Sequence, residues 1–254
     1  MEYAYLSSTV AIKTISEDVK HGVFEVEGLF AGYGLTVGNA LRRALLSSLP
    51  GAAITELKIK NAPHEFSTLP GMKEDIIELS LNLKKLRFRM HTDEPQILTI
   101  KAKGIKTITA ADIKMTSEVE IINPDEVIAS LSSKDAEIDA EIKVERGLGY
   151  SPADQRQRGR LAIGTIAIDA IFTPVHRVNY TVSDMRVGER TDYNKLKIEI
   201  ETDGTITPSA ALHKSANILK DHFEKISGVK IIETEEKKEA VPAPKKKGRS
   251  KKSE

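Results

Sequence analysis

Apolar residues recur at Val37, Ala40, Leu41, Ala44, Leu45 and Leu49, the spacing of one buried helical face. Thr36 stands where a cap belongs and Pro50-Gly51 where a helix stops, so a helix is predicted over 36–49. Ahead of it, Val10 to Phe30 reads as strands. Val23-Phe24-Glu25-Val26-Glu27 alternates near period two and ends at Gly28. Ala53 to Ile59 alternates in the same way. After Pro70-Gly71, the positions Met72, Ile76, Leu79, Leu83 and Leu86 predict a second helix, with Lys84, Lys85 and Arg87 loading its last turn.

From Arg87 to Val144 the pattern breaks into short strand-like runs, separated by turn signals such as Lys103-Gly104 and Asn123-Pro124. Gly147 to Arg160 reads as a loop, with a polar, basic second half. Strands resume at Leu161–Phe172, Arg177–Val182 and Lys195–Glu201. The last helix is fully punctuated: Thr207 as cap, Pro208 at the first position and Gly228 just past the end. Its stripe is Ala211, Leu212, Ala216, Leu219, Phe223 and Ile226. Strand and helix, then a mostly β middle, then strand and helix again, make an α+β chain. That order also allows a middle module inserted into an outer one. From Glu233 onward the composition collapses into Glu, Lys, Ala, Pro and Ser, which predicts a disordered tail.

Composition narrows the chemistry. The 254 residues include no cysteine, so disulfides and thiolate metal sites are excluded. Net charge is +1, but residues 240–254 hold six basic side chains against one acid, so the body is mildly acidic. A domain built to bind nucleic acid with its body is more often basic there. No apolar run approaches the ~20 residues of a membrane span, and Met1-Glu2-Tyr3-Ala4 does not begin a secretory signal.

Candidate sites divide into weak ones and decoys. Gly32-Tyr33-Gly34-Leu35-Thr36-Val37-Gly38 lies between a strand and a helix, as a dinucleotide fingerprint would, with Glu56 near the ribose-binding distance. Its third glycine is one residue late, and no regular βαβ series comes after it. The plainer reading is a tight turn in which glycine admits close backbone approach. No two of the six histidines stand three or four apart, and His64-Glu65 lacks a second histidine. Asp125-Glu126 and Glu74-Asp75 read as turn or helix acids. Arg42 flanks the apolar stripe of the first helix and Arg43 points away from it, as a solvated face or as a partner surface. The last helix belongs either to its own core or to a twofold pairing, and periodicity leaves both open.

Several segments together resemble the alpha subunit of bacterial and plastid RNA polymerase. They are Gly34 to Gly51, His64-Glu65-Phe66-Ser67-Thr68, Lys73-Glu74-Asp75-Ile76-Ile77-Glu78, Leu81-Asn82-Leu83-Lys84, Arg146-Gly147-Leu148-Gly149-Tyr150, Arg190-Thr191-Asp192 and Glu201 to Ile206. The match runs in order from about residue 10 to 228. The resemblance implies a dimerisation module at 1–49 plus 175–232, a mostly β insert at 50–174 and a disordered Lys-rich tail at 233–254. It implies dimer contacts by Val37, Leu41, Ala44, Leu45, Leu49, Leu212, Leu219 and Phe223. Arg43, Lys73, Glu74 and Asp75 would contact the beta subunit, and Arg177, Arg190 and Asp192 the beta-prime subunit.

The function implied is a homodimeric scaffold that nucleates assembly of beta and beta-prime, with omega and sigma joining in the holoenzyme. The chain would belong to a nucleotidyltransferase while holding no catalytic residue, metal or cofactor. It would work in the cytoplasm at the nucleoid rather than in a plastid. Family members continue into a small helical domain that binds promoter DNA. The expectation here is that a basic tail, Pro244 to Lys252, stands in its place and touches DNA weakly. The segment Asp154 to Arg160 is short for the family. Two other readings stay open: a self-contained enzyme holding a nucleotide on the glycine turn, and a nucleic-acid-binding module driven by the tail. The first predicts nucleotide binding by the isolated chain, the second tight DNA binding without any partner.

Overall fold

The computed structural model describes residues 6–156 and 164–229. The expected disordered tail from Glu233 and the basic loop residues 157–163 lie outside the described residues.

In chain order, β1 (Ala11–Glu17) and β2 (His21–Leu29) form a hairpin that leads into α1 (Tyr33–Ser47). β3 (Pro50–Ile59) and α2 (Ile76–Leu83) come next. Then come β4 (Phe88–Met90), β5 (Gln96–Lys103), β6 (Lys106–Thr109), β7 (Ile113–Lys114), β8 (Val119–Ile121), β9 (Val127–Leu131) and the long β10 (Glu137–Leu148). β11 (Tyr150–Ser151), α3 (Ala153–Arg156), β12 (Thr165–Ala167) and β13 (Ala170–Ile171) lead to the hairpin β14 (Val175–Val187) and β15 (Arg190–Thr202). α4 (Pro208–Ser227) is the last helix described.

The first sheet has the order β1-β2-β15-β14 and is antiparallel throughout. Two hairpins separated by well over a hundred residues therefore share one ladder. Alternation decides its faces: Phe24, Val26, Leu196, Ile198 and Ile200 are buried, while Glu25, Lys195, Lys197 and Glu199 lie on the other side. α1 packs on β14 and β15, and α4 packs on α1, β15 and β2. The resulting core gathers Leu41, Leu45 and Leu49 with Val178, Leu196, Ile198 and Leu212.

The second sheet runs β7-β5-β10-β3-β4-β8, with β12 added beside β3. Its core is separate and larger, built on Leu57, Leu98, Ile100, Ile138 and Ile142, with Ile76, Leu79 and Leu83 of α2 packed in. Burying each such side chain is worth about 1.5–3 kcal/mol. Asp169 ties this part together at its edge. Its carboxylate accepts from the Ala153 N–H at 3.0 Å and from Lys84 Nζ at 3.2 Å, and the Ala153 bond leads in holding its pKa below the usual carboxylate value. Arg89 of β4 ties the two sheets to each other. Its guanidinium donates to the carbonyls of Gly204 and Thr205, which lie between β15 and α4, at 3.1–3.4 Å.

The helix limits depart from the sequence reading in instructive ways. α1 begins at Tyr33, three residues before Thr36, and ends at Ser47, while Pro50-Gly51 opens β3 rather than stopping the helix. Its cap position is Gly32 at φ 85°, the left-handed region that favours glycine. No neighbouring side chain caps it. Asn194 of β15 does so from across the fold, its Oδ1 accepting from Gly32 N at 2.8 Å and Gly34 N at 3.3 Å. Thr36 lies inside the helix.

α2 is shorter than its apolar spacing predicts. Met72 bridges to Leu131 in extended backbone, and Asp75 caps the helix by accepting from Glu78 N at 2.7 Å. Lys84 comes after Leu83 as the C-cap, so no basic residue occupies the last turn. α4 matches its punctuation: Thr207 accepts from Ala210 N, Pro208 is first and Gly228 closes the end. Half of its predicted stripe stays uncovered, however. Ala211 and Leu212 are buried with Pro208 and Ser215, whereas Ala216, Phe223 and Ile226 are exposed.

Candidate interaction surfaces

The glycine turn is a packing device. A Cβ on Gly34 would meet Val182 Cγ1 at 2.6 Å, and one on Gly38 would meet Tyr180 Cδ2 at 2.8 Å. These glycines let α1 lie close on the sheet. The N–H groups of Gly32 and Gly34, which would face a phosphate in a dinucleotide site, are already taken by Asn194. Among the described residues no group of three His, Asp or Glu side chains is placed to hold a metal ion, and no helix is long and apolar enough to cross a membrane.

The structure sorts the eight residues expected at the dimer contact into three kinds. Leu41, Ala44, Leu45, Leu49 and Leu212 are buried within one chain. Val37 and Leu219 are half-buried at the edge of the same core, and Phe223 is 61% exposed. The sequence stripe could not separate them, because one periodicity serves a helix's own sheet and a partner alike. An open groove of about 630 Å³ runs between α1 and α4, with Ala40, Arg43, Ser47, Ile218, Leu219 and His222 along it.

The sequence reading missed the apolar side of β1. Ile12 pairs with Val26, and opposed residues in an antiparallel ladder share a face. Val26 is buried beneath the helices while Ile12 is 64% exposed, since α1 and α4 cover the sheet's other strands. The signal was present in Ile12 and Thr14, which alternate with Lys13. It gained meaning only once the register was known.

The other expected contact residues fall in three places. Arg43 is exposed on α1 along the groove. Its neighbour Arg42 turns inward, donating to Val178 O at 3.2 Å. Lys73, Glu74 and Asp75 lie together before α2, but two of them have internal tasks. Glu74 Oε2 accepts from Ser130 N at 2.7 Å, and Asp75 is the α2 cap. Lys73 is exposed and makes no side-chain hydrogen bond or ion pair among the described residues.

Arg177, Arg190 and Asp192 do not form one cluster. Arg177 pairs with Glu201 at 3.0 Å near one end of the β14–β15 hairpin, and Arg190 and Asp192 sit at the other. Eleven residues separate Glu201 from Arg190 along β15, about 35 Å at strand rise. At the far end Arg190 grips Asp192 with two hydrogen bonds of 3.0 and 2.7 Å. Its guanidinium stands 4.8 Å from the Phe30 ring and 5.5 Å from that of Tyr193. The hydrogen bonds from Arg190 hold the Asp192 carboxyl below its ordinary pKa. Charge and aromatic surface stand side by side at this end of the hairpin.

Against known sequences, residues 57–173 match the family described as the RNA polymerase Rpb3/RpoA insert domain. The chain is 51% identical over 210 residues to the DNA-directed RNA polymerase subunit alpha of Symbiobacterium thermophilum, covering 83% of this chain and 66% of that one. It is 48% identical over 231 residues to the same subunit of Roseiflexus sp., covering 91% and 71%. For Moorella thermoacetica the figures are 47% over 212 residues, 84% and 67%. The matched region is thus about two thirds of each relative's length. This chain belongs to the family of DNA-directed RNA polymerase alpha subunits.

Proposed function

We propose that the chain is the dimeric assembly scaffold of a DNA-directed RNA polymerase and contributes no catalytic residue to it. Residues 1–49 and 175–232 form the dimerisation module, and residues 50–174 form the insert. One observation carries the dimer. The second half of α4 leaves Phe223 and Ile226 in solvent, and Val229 just beyond it is exposed as well, so the chain's own core covers none of the three. The same chain leaves the helix-side face of β1 uncovered at Ile12. A twofold copy supplies each surface with the other, which is how an isologous interface closes. Light scattering of the full chain at micromolar concentration tests this: a mass near twice 28.0 kDa is expected, and a clean monomer would sink it.

The dimer would then recruit beta through Arg43 and the Lys73–Asp75 segment, and beta-prime through the β14–β15 hairpin, with omega and sigma joining in the holoenzyme. This places the chain in the cytoplasm, at the nucleoid. What supports this reading is that its relatives carry the name of the polymerase subunit and that Arg43 and Lys73 are exposed. Because the Lys73 side chain has no internal partner among the described residues, Lys73→Glu is expected to weaken capture of beta by about tenfold while the melting temperature holds. Pull-down of beta on immobilised chain measures it, and unchanged capture removes Lys73 from that contact.

A further inference from the structure

Beside the seam between the two sheets lies a half-enclosed cavity of about 300 Å³. Every ionisable side chain that lines it is basic: Arg89 from β4, His91 just beyond β4, Arg146 from β10 and Lys214 from α4. They come from separate stretches of sequence and meet only in the folded chain. Like charges gathered this way repel unless an anion offsets them. The two carboxylates that do so stand outside the lining: Glu120 at 3.0 Å from Arg89 and Asp93 at 2.7 Å from Arg146.

The four groups differ in what they have left to give. Arg89 is nearly spent, since four bonds from its five N–H groups already go to Gly204 O, Thr205 O and Glu120. Arg146 uses one terminal nitrogen on Asp93, whose side chain is 87% exposed. A pair that open to water is weakly held and easily exchanged. His91 and Lys214 make no side-chain hydrogen bond or ion pair among the described residues.

We infer that this cavity binds a small, multiply charged oxyanion of the phosphate class, which takes the Arg146 guanidinium from Asp93 and receives Lys214 as a second donor. The guanidinium fork matches two oxygens of a phosphate, and the ammonium adds a point charge. Arg89 contributes its field and holds the wall in place. Several cations around one small space favour a polyanion over a single carboxylate. The inference stands on the cavity alone and does not depend on how the chain assembles.

Calorimetric titration of the full chain with pyrophosphate at low ionic strength tests it. One saturable site per chain is expected. Arg146→Ala and Lys214→Ala should each weaken binding about tenfold, as loss of a charged hydrogen bond does. Asp93→Asn should strengthen it several-fold, a gain that a damaged fold cannot imitate. Glu94→Gln removes the same charge one residue along and should leave affinity unchanged. Absence of saturable binding, parental affinity in either the Arg146 or the Lys214 variant, or equal gains from Asp93→Asn and Glu94→Gln would each overturn the proposal.

Discussion

Phe223→Glu combined with Ile226→Glu is expected to halve the solution mass of the chain, from twice 28.0 kDa to the single-chain value. Both side chains are exposed in one chain, at 61% and 65%, so neither substitution removes anything from the fold's own core. In the proposed dimer each protomer buries both. Fully burying such side chains contributes about 1.5–3 kcal/mol apiece. Four of them approach the ~8–12 kcal/mol that separates a micromolar or nanomolar dimer from free chains. A buried carboxylate without a partner adds a further penalty on the same side. The variant should therefore be a folded monomer, with an unchanged near-ultraviolet dichroism spectrum. A mass that stays doubled in a folded variant would show that α4 does not make the contact. Leu45 could not serve for this test. It is fully buried among residues of its own chain, and shrinking it would unfold the module whether or not a partner exists.

Asn194→Ala is expected to cost about 2 kcal/mol of folding stability, whereas Thr36→Ala is expected to cost almost nothing. The asymmetry comes from where each side chain points. Asn194 is buried, and its Oδ1 accepts from two N–H groups at the start of α1, while its Nδ2 donates to Asp184 at 3.1 Å. Removing it leaves two helix-terminal donors without their partner, one of them at the buried Gly34. Thr36 is exposed and lies one turn inside the helix, with its hydroxyl 3.5 Å from Gly32 O. Thermal melting of the two variants beside the parent gives the comparison. For a chain of this size the Asn194 variant should melt about 4–8 °C lower. Equal melting temperatures would mean that the glycine turn holds α1 in place without Asn194. Because α1 carries Arg43 and lines the groove against α4, that loss should also loosen the surface offered to partners.

The two variants separate what is written locally in the chain from what is not. Strand alternation in β2 and the helical stripe from Val37 to Leu49 were legible because side-chain direction repeats every two or 3.6 residues whatever the rest of the chain does. So were the limits of α4, since Thr207, Pro208 and Gly228 act on backbone groups within a few positions of themselves. The order of strands and helices pointed to an α+β chain, and the segments from Gly34 to Gly51 and around Lys73 and Arg190 pointed to the family, because their residues were recognisable in order.

The tertiary structure decided everything that needed two distant stretches at once. It made Asn194 the cap that Thr36 was expected to be, across some 160 residues of sequence. It ended α2 at Leu83, because the apolar spacing that continues to Leu86 describes burial, and burial continues after a helix stops. It divided the α4 stripe into a covered half and an uncovered one, since periodicity gives a face and only the neighbouring layer says whether that face is filled. It set Arg177 and Arg190 at opposite ends of one hairpin, and brought Arg89, His91, Arg146 and Lys214 to one cavity. Direction along a chain is a local property of the backbone. Coverage and convergence belong to pairs of segments, and no single segment contains them.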